Sequence, residues 1–240
     1  MSVFASLVER LADLLQPLCG ASAAAAAIVL FTAFVRLLVH PLSRAAARGQ
    51  KARAELQPKI AELRRKHARN PEKLQRAVLE LHAREKVSPL SGCLPSLLQL
   101  PAFFLLYHLF SSETIGGRPN ELLGHRLFDA PLGGRWADAL GDGGPLGGAG
   151  LVYALLFALV AVVAVVSYRL TKRTMAANAA LTAAGGDGAE QVPGMAAMTK
   201  LMPFMSFFTL ITVAVMPLAA ALYMVTSTTW SVAERAALHR

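Results

Sequence analysis

The chain has 240 residues, 55% of them hydrophobic and only 16% charged, with a mean hydropathy of +0.46. Soluble domains run about 45–50% apolar and about 25% charged, so an ordinary soluble domain is excluded, and so is a disordered chain, which would be poor in apolar residues. The 24 Lys and Arg against 15 Asp and Glu give a net charge of +9, which leaves a nucleic-acid binder or a membrane protein with basic cytoplasmic loops.

In residues 1–19, Phe4, Leu7, Val8, Leu11, Leu14, Leu15 and Leu18 recur at helical spacing opposite Glu9, Arg10 and Asp13. This predicts an amphipathic helix lying on the outer membrane face. No basic region precedes an apolar core, so the signal-peptide pattern is not met. Cys19 and Cys93 fall at opposite ends of predicted spans, and a bilayer between them rules out a mutual disulfide. Cys19 reads as a small buried hydrophobe. A lipid attachment there is the alternative, with Pro17 and Leu18 poor residues before a cleavage site.

Residues 21–39 are apolar except for Arg36, and residues 92–110 and 150–168 carry no charge. Each stretch approaches the roughly 20 residues that cross a bilayer. Residues 201–232 are also uncharged, but at about 1.5 Å per residue they are too long for one upright helix. Pro217 interrupts them at the middle. The expected fold class is therefore all-α and polytopic, with five transmembrane helices at residues 20–41, 92–111, 150–168, 201–216 and 217–232. Residues 42–91 carry 13 Lys and Arg against 5 Asp and Glu, and residues 112–149 carry 3 against 5. The positive-inside rule puts the first loop in the cytoplasm and the second outside. The N-terminus is then outside, and residues 169–200 and the tail 233–240 are inside.

Within residues 42–91, Leu56, Ile60 and Leu63 share a helical face, as do Leu74, Val78 and Leu81. Asn70 and Pro71 between them form an N-cap and first helical position. An antiparallel helical hairpin with a basic surface follows, its second helix ending at Ser88-Pro89. Two readings of that surface stay open: a solvated face beside anionic lipid, or a dock for RNA or acidic partners. The lack of interleaved aromatics excludes sequence-specific RNA reading. Residues 112–149 hold 10 of the 18 glycines and read as flexible, with Leu127, Phe128 and Trp136 as interface anchors. Residues 171–199, rich in Ala and Gly, read as partly mobile.

Arg36 lies about one turn from the inner end of its span. A charge there costs roughly 2.5–3.5 kcal/mol on insertion scales and faces a partner or a wet cavity, unless it snorkels to the headgroups. No predicted span carries Asp or Glu, so the expectation is an unpaired cation in a wet cavity. Thr32 on the same face, Gln99 on the second span, and Thr226, Ser227, Thr228 and Thr229 on the last are candidate polar lining. His108 reads as a packed or interfacial residue. No nucleophile, phosphate-loop or metal-ligand motif occurs, so the expectation is a non-enzyme without metal or cofactor.

Thr32-Ala33-Phe34-Val35-Arg36 followed by His40-Pro41-Leu42 resembles the Arg-bearing first core span of YidC/Oxa-type membrane protein insertases. Residues Leu56-Gln57-Pro58-Lys59-Ile60 continue the likeness. Ser88-Pro89-Leu90-Ser91-Gly92-Cys93-Leu94-Pro95 resembles the NPxxGCxP entry to the family's second span, with Ser88 where Asn is usual. Leu98-Gln99-Leu100-Pro101-Ala102-Phe103, then Pro217, Ala221-Leu222-Tyr223 and Trp230, extend it over residues 21–232, with Met224 where an aromatic is frequent. The resemblance implies a short, Gram-positive-type member in a bacterial plasma membrane. It implies a groove open to cytoplasm and lipid in which Arg36 attracts acidic residues of a nascent chain. Thr32, Arg36, Gln99, Phe103, Tyr223 and Met224 would line that path; for Phe103, Tyr223 and Met224 ordinary helix packing is the alternative. Pro95 and Pro101 would bend the second span, and the short pair around Pro217 would thin the bilayer. Implied partners are nascent membrane proteins and lipid, with a ribosome and a Sec-type translocon as further candidates. A small channel or transporter is the rival class, although no inverted repeat is visible.

Overall fold

The computed structural model describes residues 2–87, 104, 106–141, 143–183 and 202–238. Pro95, Pro101, Gln99, Phe103 and Cys93, with the expected second-span entry and the Ser88-Pro89 helix stop, lie outside the described residues. Among the described residues, besides the helical turn at 106–111, lie the helices α1 (Ser2–Cys19), α2 (Ala23–Lys66), α3 (Pro71–Arg84), α4 (Trp136–Gly141), α5 (Gly148–Ala183), α6 (Phe208–Val215) and α7 (Leu218–Leu238). Four two-residue strands, β1 (Thr114–Ile115), β2 (Arg118–Pro119), β3 (Arg126–Leu127) and β4 (Ala130–Pro131), pair as two antiparallel hairpins. The described residues are mostly helical, as the sequence predicts, with these two small ribbons added. Among the described residues, Phe4–Lys66 and Gly148–Ala177 are helical stretches long and apolar enough to cross a bilayer, and Pro203–Val215 is a shorter apolar helix. The chain divides into two units, one of residues 1–39, 100–167 and 205–240, the other of residues 40–99 and 168–204.

In the first unit, α1 has an apolar arc wide enough for two neighbours. Ala5, Val8 and Ala12 are buried in the core with Leu11 and Leu15 against them. Leu7, Leu14 and Leu18 point away, the last two 73% and 83% exposed. At about 100° per residue these sets lie side by side, with Glu9, Arg10 and Asp13 on the remaining arc. A turn of 3-10 helix at Gly20–Ser22 joins α1 to α2. Alanine dominates the next contacts: Ala24, Ala25 and Ala27 on α2 and Ala219, Ala220 and Ala221 on α7 are all buried in one cluster with Ile28, Leu109 and Phe110. Small side chains let backbones approach closely, which gives packing in an apolar medium that supplies no hydrophobic drive between helices.

The loop between residues 111 and 148 is folded rather than flexible. Gly116 and Gly117 close the first ribbon with φ of +58° and +80°, the two positive values that a tight hairpin turn requires. Asn120 donates from Nδ2 to the carbonyls of Leu109 at 2.8 Å and Ser112 at 3.0 Å, tying off the helical turn at residues 106–111. Leu122, Ala130 and Leu132 are fully buried. A Cβ at Gly150 would collide with the Gly144 carbonyl, so glycine here permits a close approach rather than disorder. Of the expected interface anchors, Phe128 is 72% exposed at a turn, and Leu127 packs on the core. Trp136 turns inward, its ring 5.7 Å from Tyr153 and 5.3 Å from Phe157.

This loop also completes α7. The helix starts after Pro217, where its first N–H groups have no intrahelical acceptor. Leu218 N–H donates to Gly134 O and Ala219 N–H to Leu132 O, both at 2.9 Å, while Tyr153 Oη donates to Gly134 O at 2.5 Å. On the other side of the break, α6 ends at Val215 and Met216 is extended at ψ 154°. The 3-10 stretch Met202–Phe207 precedes α6, so among the described residues the apolar segment before Pro217 contains only a short α-helix.

In the second unit, α2 continues through Pro41 and Pro58 to Lys66. Asn70 Oδ1 accepts from Lys73 N–H at 3.0 Å and Pro71 occupies the first turn of α3. Lys59 and Glu85 form an ion pair, and Leu56, Ile60 and His82 are buried. The helix α3 stops at Arg84, short of Ser88-Pro89, because Lys86 turns left-handed at φ +54°. Lys86 N–H then bonds Ala83 O at 3.2 Å and Val87 N–H bonds His82 O at 3.0 Å, the pair of bonds that ends helices at a left-handed residue.

Two measurements check these joints. Tyr153→Phe removes the hydroxyl that holds Gly134 and lowers stability by about 1 kcal/mol; an unchanged thermal midpoint of the detergent-solubilised protein would contradict it. Lys86→Gly relieves a left-handed side chain, a strain of about 1 kcal/mol, and slows amide exchange at Val87; faster exchange would contradict that account.

Candidate functional site

The stripe Ile28, Thr32, Arg36 repeats every four residues along α2. Ile28 and Thr32 are buried and Arg36 is half-buried, whereas Phe34, Leu37 and Leu38 are exposed. The helix register therefore sends the one charge of this apolar segment toward the protein. There it meets α7. Arg36 Nε donates to Ser227 Oγ at 3.0 Å, and a guanidinium Nη donates to the same oxygen. Tyr223 hydrogen-bonds Ser227 through its side chain, and the Arg36 charge acts on it. Glu234 is close enough for its carboxylate to act on the guanidinium.

Residues 223, 227 and 234 fall within about 40° of one another on a helix of 3.6 residues per turn, so α7 presents one polar face to Arg36. Ser231 Oγ donates to Ser227 O at 3.0 Å and continues that face. The expectation of an unpaired cation is thereby corrected. It assumed that carboxylates end with the apolar stretch at residue 232, but α7 remains helical to Leu238 and carries Glu234, whose charge acts on the guanidinium. A charge-assisted hydrogen bond is stronger than a neutral one, and a hydroxyl supplies solvation that apolar neighbours cannot.

The other expected lining residues separate. Thr32 is 1% exposed and its hydroxyl donates to Ile28 O at 2.7 Å, so its polar atom is already used within its own helix. Tyr223 is 2% exposed, its ring 5.9 Å from Phe110. Met224 lies on another side of α7, in a shallow apolar pocket with Val160, Val163, Thr209, Val213, Val225 and Thr228. The hydroxyls of Thr209 and Thr228 turn back to Ser206 O and Met224 O, each at 2.7 Å, which leaves that pocket apolar. Thr226 is half-buried and Thr229 exposed. His108 Nδ1 meets Ser112 Oγ at 2.9 Å. The structure thus brings Arg36, Ser227 and Tyr223 together and leaves Thr32 and Met224 beside them. Sequence reasoning missed Glu234 and did not single out Ser227 among four hydroxyl residues; the 223–227–234 spacing was the signal for both.

Removing the Ser227 hydroxyl takes a direct acceptor from the guanidinium. Ser227→Ala lowers stability by about 1.5–3 kcal/mol, the range for hydrogen bonds to a charged group. In an Arg36→Gln background the loss shrinks, because the two residues share one interaction. Equal shifts of the thermal midpoint in both backgrounds would contradict the pairing.

The family model described as "60Kd inner membrane protein" matches residues 14–240. A "Membrane protein insertase YidC" of Clostridium perfringens is 44% identical over 87 residues, 36% of this chain and 37% of that protein. One of Oceanobacillus iheyensis is 43% identical over 86 residues, 34% of each chain. One of Geobacter sulfurreducens is 39% identical over 89 residues, 36% of this chain and 17% of that protein. The chain therefore spans little more than a third, or less, of the length of these curated relatives. Matched over nearly its whole length by the family model, the chain belongs to the 60Kd inner membrane protein family, the YidC/Oxa family.

Proposed function

We propose that this protein is a membrane protein insertase, in which an intramembrane groove around Arg36 receives the hydrophilic segment of a nascent chain while its apolar helix passes into lipid. The observation that carries the reading is the half-buried Arg36, set in an apolar segment and held by Ser227 of α7 in a chain of this family. A fixed cation of this kind in low dielectric attracts acidic residues more strongly than water would allow. Membership of the family supports a bacterial inner-membrane location.

The finer arrangement belongs to the same proposal. Five spans carry the N-terminus outside and the tail inside, with residues 42–91 as a cytoplasmic helical hairpin that meets the substrate first. Thr32, Gln99, Phe103, Tyr223 and Met224 line the path with Arg36. Pro95 and Pro101 bend the second span. The helical stretch Pro203–Val215, about 22 Å long with its 3-10 start at about 2.0 Å and its α-helix at about 1.5 Å per residue, falls short of a hydrocarbon core about 30 Å thick, which supports local thinning beside it. The folded loop at residues 112–147 sits over the start of α7 and supports closure of the groove on the outer side. The basic hairpin and residues 169–200 are the surfaces offered to a ribosome, and a Sec-type translocon is a further partner.

Complementation of an insertase-depleted bacterial strain tests the reading. The wild-type chain restores growth, and Arg36→Ala reduces rescue most for substrates whose translocated segment is acidic. Failure of a well-expressed wild-type chain in strains of several host species would contradict insertase function. Equal rescue of acidic and neutral substrates by Arg36→Ala would contradict the role given to the charge.

A further inference from the structure

A guanidinium that already has an acidic neighbour is not simply available to a substrate carboxylate. On α7, Glu234 lies two turns beyond Ser227 on the same face. It is half-buried, whereas Ala233 and Arg235 on either side are exposed, so the side that carries Glu234 is the side turned to the protein. Ser227 fixes the guanidinium from one direction, and the Glu234 carboxylate acts on it from the end of α7.

We propose that Glu234 is a resident counter-ion of Arg36, a stand-in for the acidic side chain of the substrate, which an incoming Asp or Glu must displace. The inference rests on the insertase reading and deepens it, because it makes the site selective. With Glu234 in place, a neutral hydrophilic segment gains little from Arg36. An acidic segment gains by exchanging one carboxylate for another, so the groove stays charge-balanced when idle and the pull on a passing chain is moderate. An overly strong attraction would retain the segment, and the internal carboxylate also assists release by reclaiming Arg36.

The arithmetic is that of a site only partly in its competent state: apparent affinity falls by the competent fraction. If Glu234 occupies Arg36 for about 70–90% of the time, removing its charge raises engagement of an acidic segment about three- to tenfold. A neutral segment, which does not compete for the guanidinium, changes little.

The test uses the full-length protein in membrane vesicles with ribosome-stalled nascent chains of one single-span protein. One version carries two Asp in its translocated segment and the other two Asn, each with a photo-crosslinker beside them. Wild type, Glu234→Gln, Arg36→Gln and the double variant are compared by adduct yield. Expected is a several-fold gain for the Asp chain in Glu234→Gln, no comparable gain for the Asn chain, and loss of the gain in the double variant. The Asn chain in the same vesicles reports folding, since a misfolded variant loses both adducts. Wild-type adducts without a selective gain in Glu234→Gln would overturn this inference alone, as would an equal gain for both chains or a gain that survives Arg36→Gln. If wild type captures neither chain, the insertase reading falls and the inference falls with it.

Discussion

A guanidinium cannot sit among apolar helices unless something nearby replaces the water it has lost. That requirement organises the core of this protein. Arg36 is the charge within residues 21–39, and the stripe Ile28–Thr32–Arg36 aims it at α7, where Ser227 accepts two of its N–H groups. The rotation of α7 about its axis is then constrained, because residues 223 and 227 must both face α2. The buried alanines at 24, 25 and 27 and at 219–221 supply the close packing that lets such a contact form.

The same helix is held at its other end by backbone groups. Pro217 separates α6 from α7 and leaves the first N–H groups of α7 without partners. The loop at residues 112–147 answers with the carbonyls of Leu132 and Gly134, the latter also held by Tyr153. The loop, α5 and the start of α7 are thus linked by hydrogen bonds. In the proposed insertase, this fixes the helix that carries Ser227 and Glu234 while the opposite end of the groove admits a substrate.

How much of this was legible in the residues varies with the range of the signal. The Asn70-Pro71 start of α3 and the break at Pro217 were readable, because capping and proline act within a few residues. The end of α3 was not, since it rests on Lys86 adopting a left-handed conformation that glycine or asparagine adopts far more readily. The glycine-rich loop misled for a related reason: composition signals freedom, but Gly116, Gly117 and Gly150 serve tight turns and close approaches within an ordered segment. For the site, Arg36 stood out as an isolated charge in an apolar run. Its partner Ser227 did not, because four consecutive hydroxyl residues are equivalent until the register of α7 is known. Glu234 was hidden by treating the end of the apolar stretch as the end of the helix.

The central claim is that a hydrophilic segment passes beside the polar face shared by Arg36 and α7. The most direct measurement places a photo-crosslinkable residue singly at Tyr223 and Ser231 on the polar face of α7, and at Phe34 and Leu38 on the exposed face of α2, with a stalled nascent membrane protein in native membranes. The account predicts that the hydrophilic segment forms adducts at the α7 positions and that Phe34 and Leu38 capture lipid or the apolar helix instead. Adducts of the hydrophilic segment at Phe34 and Leu38 alone would contradict it.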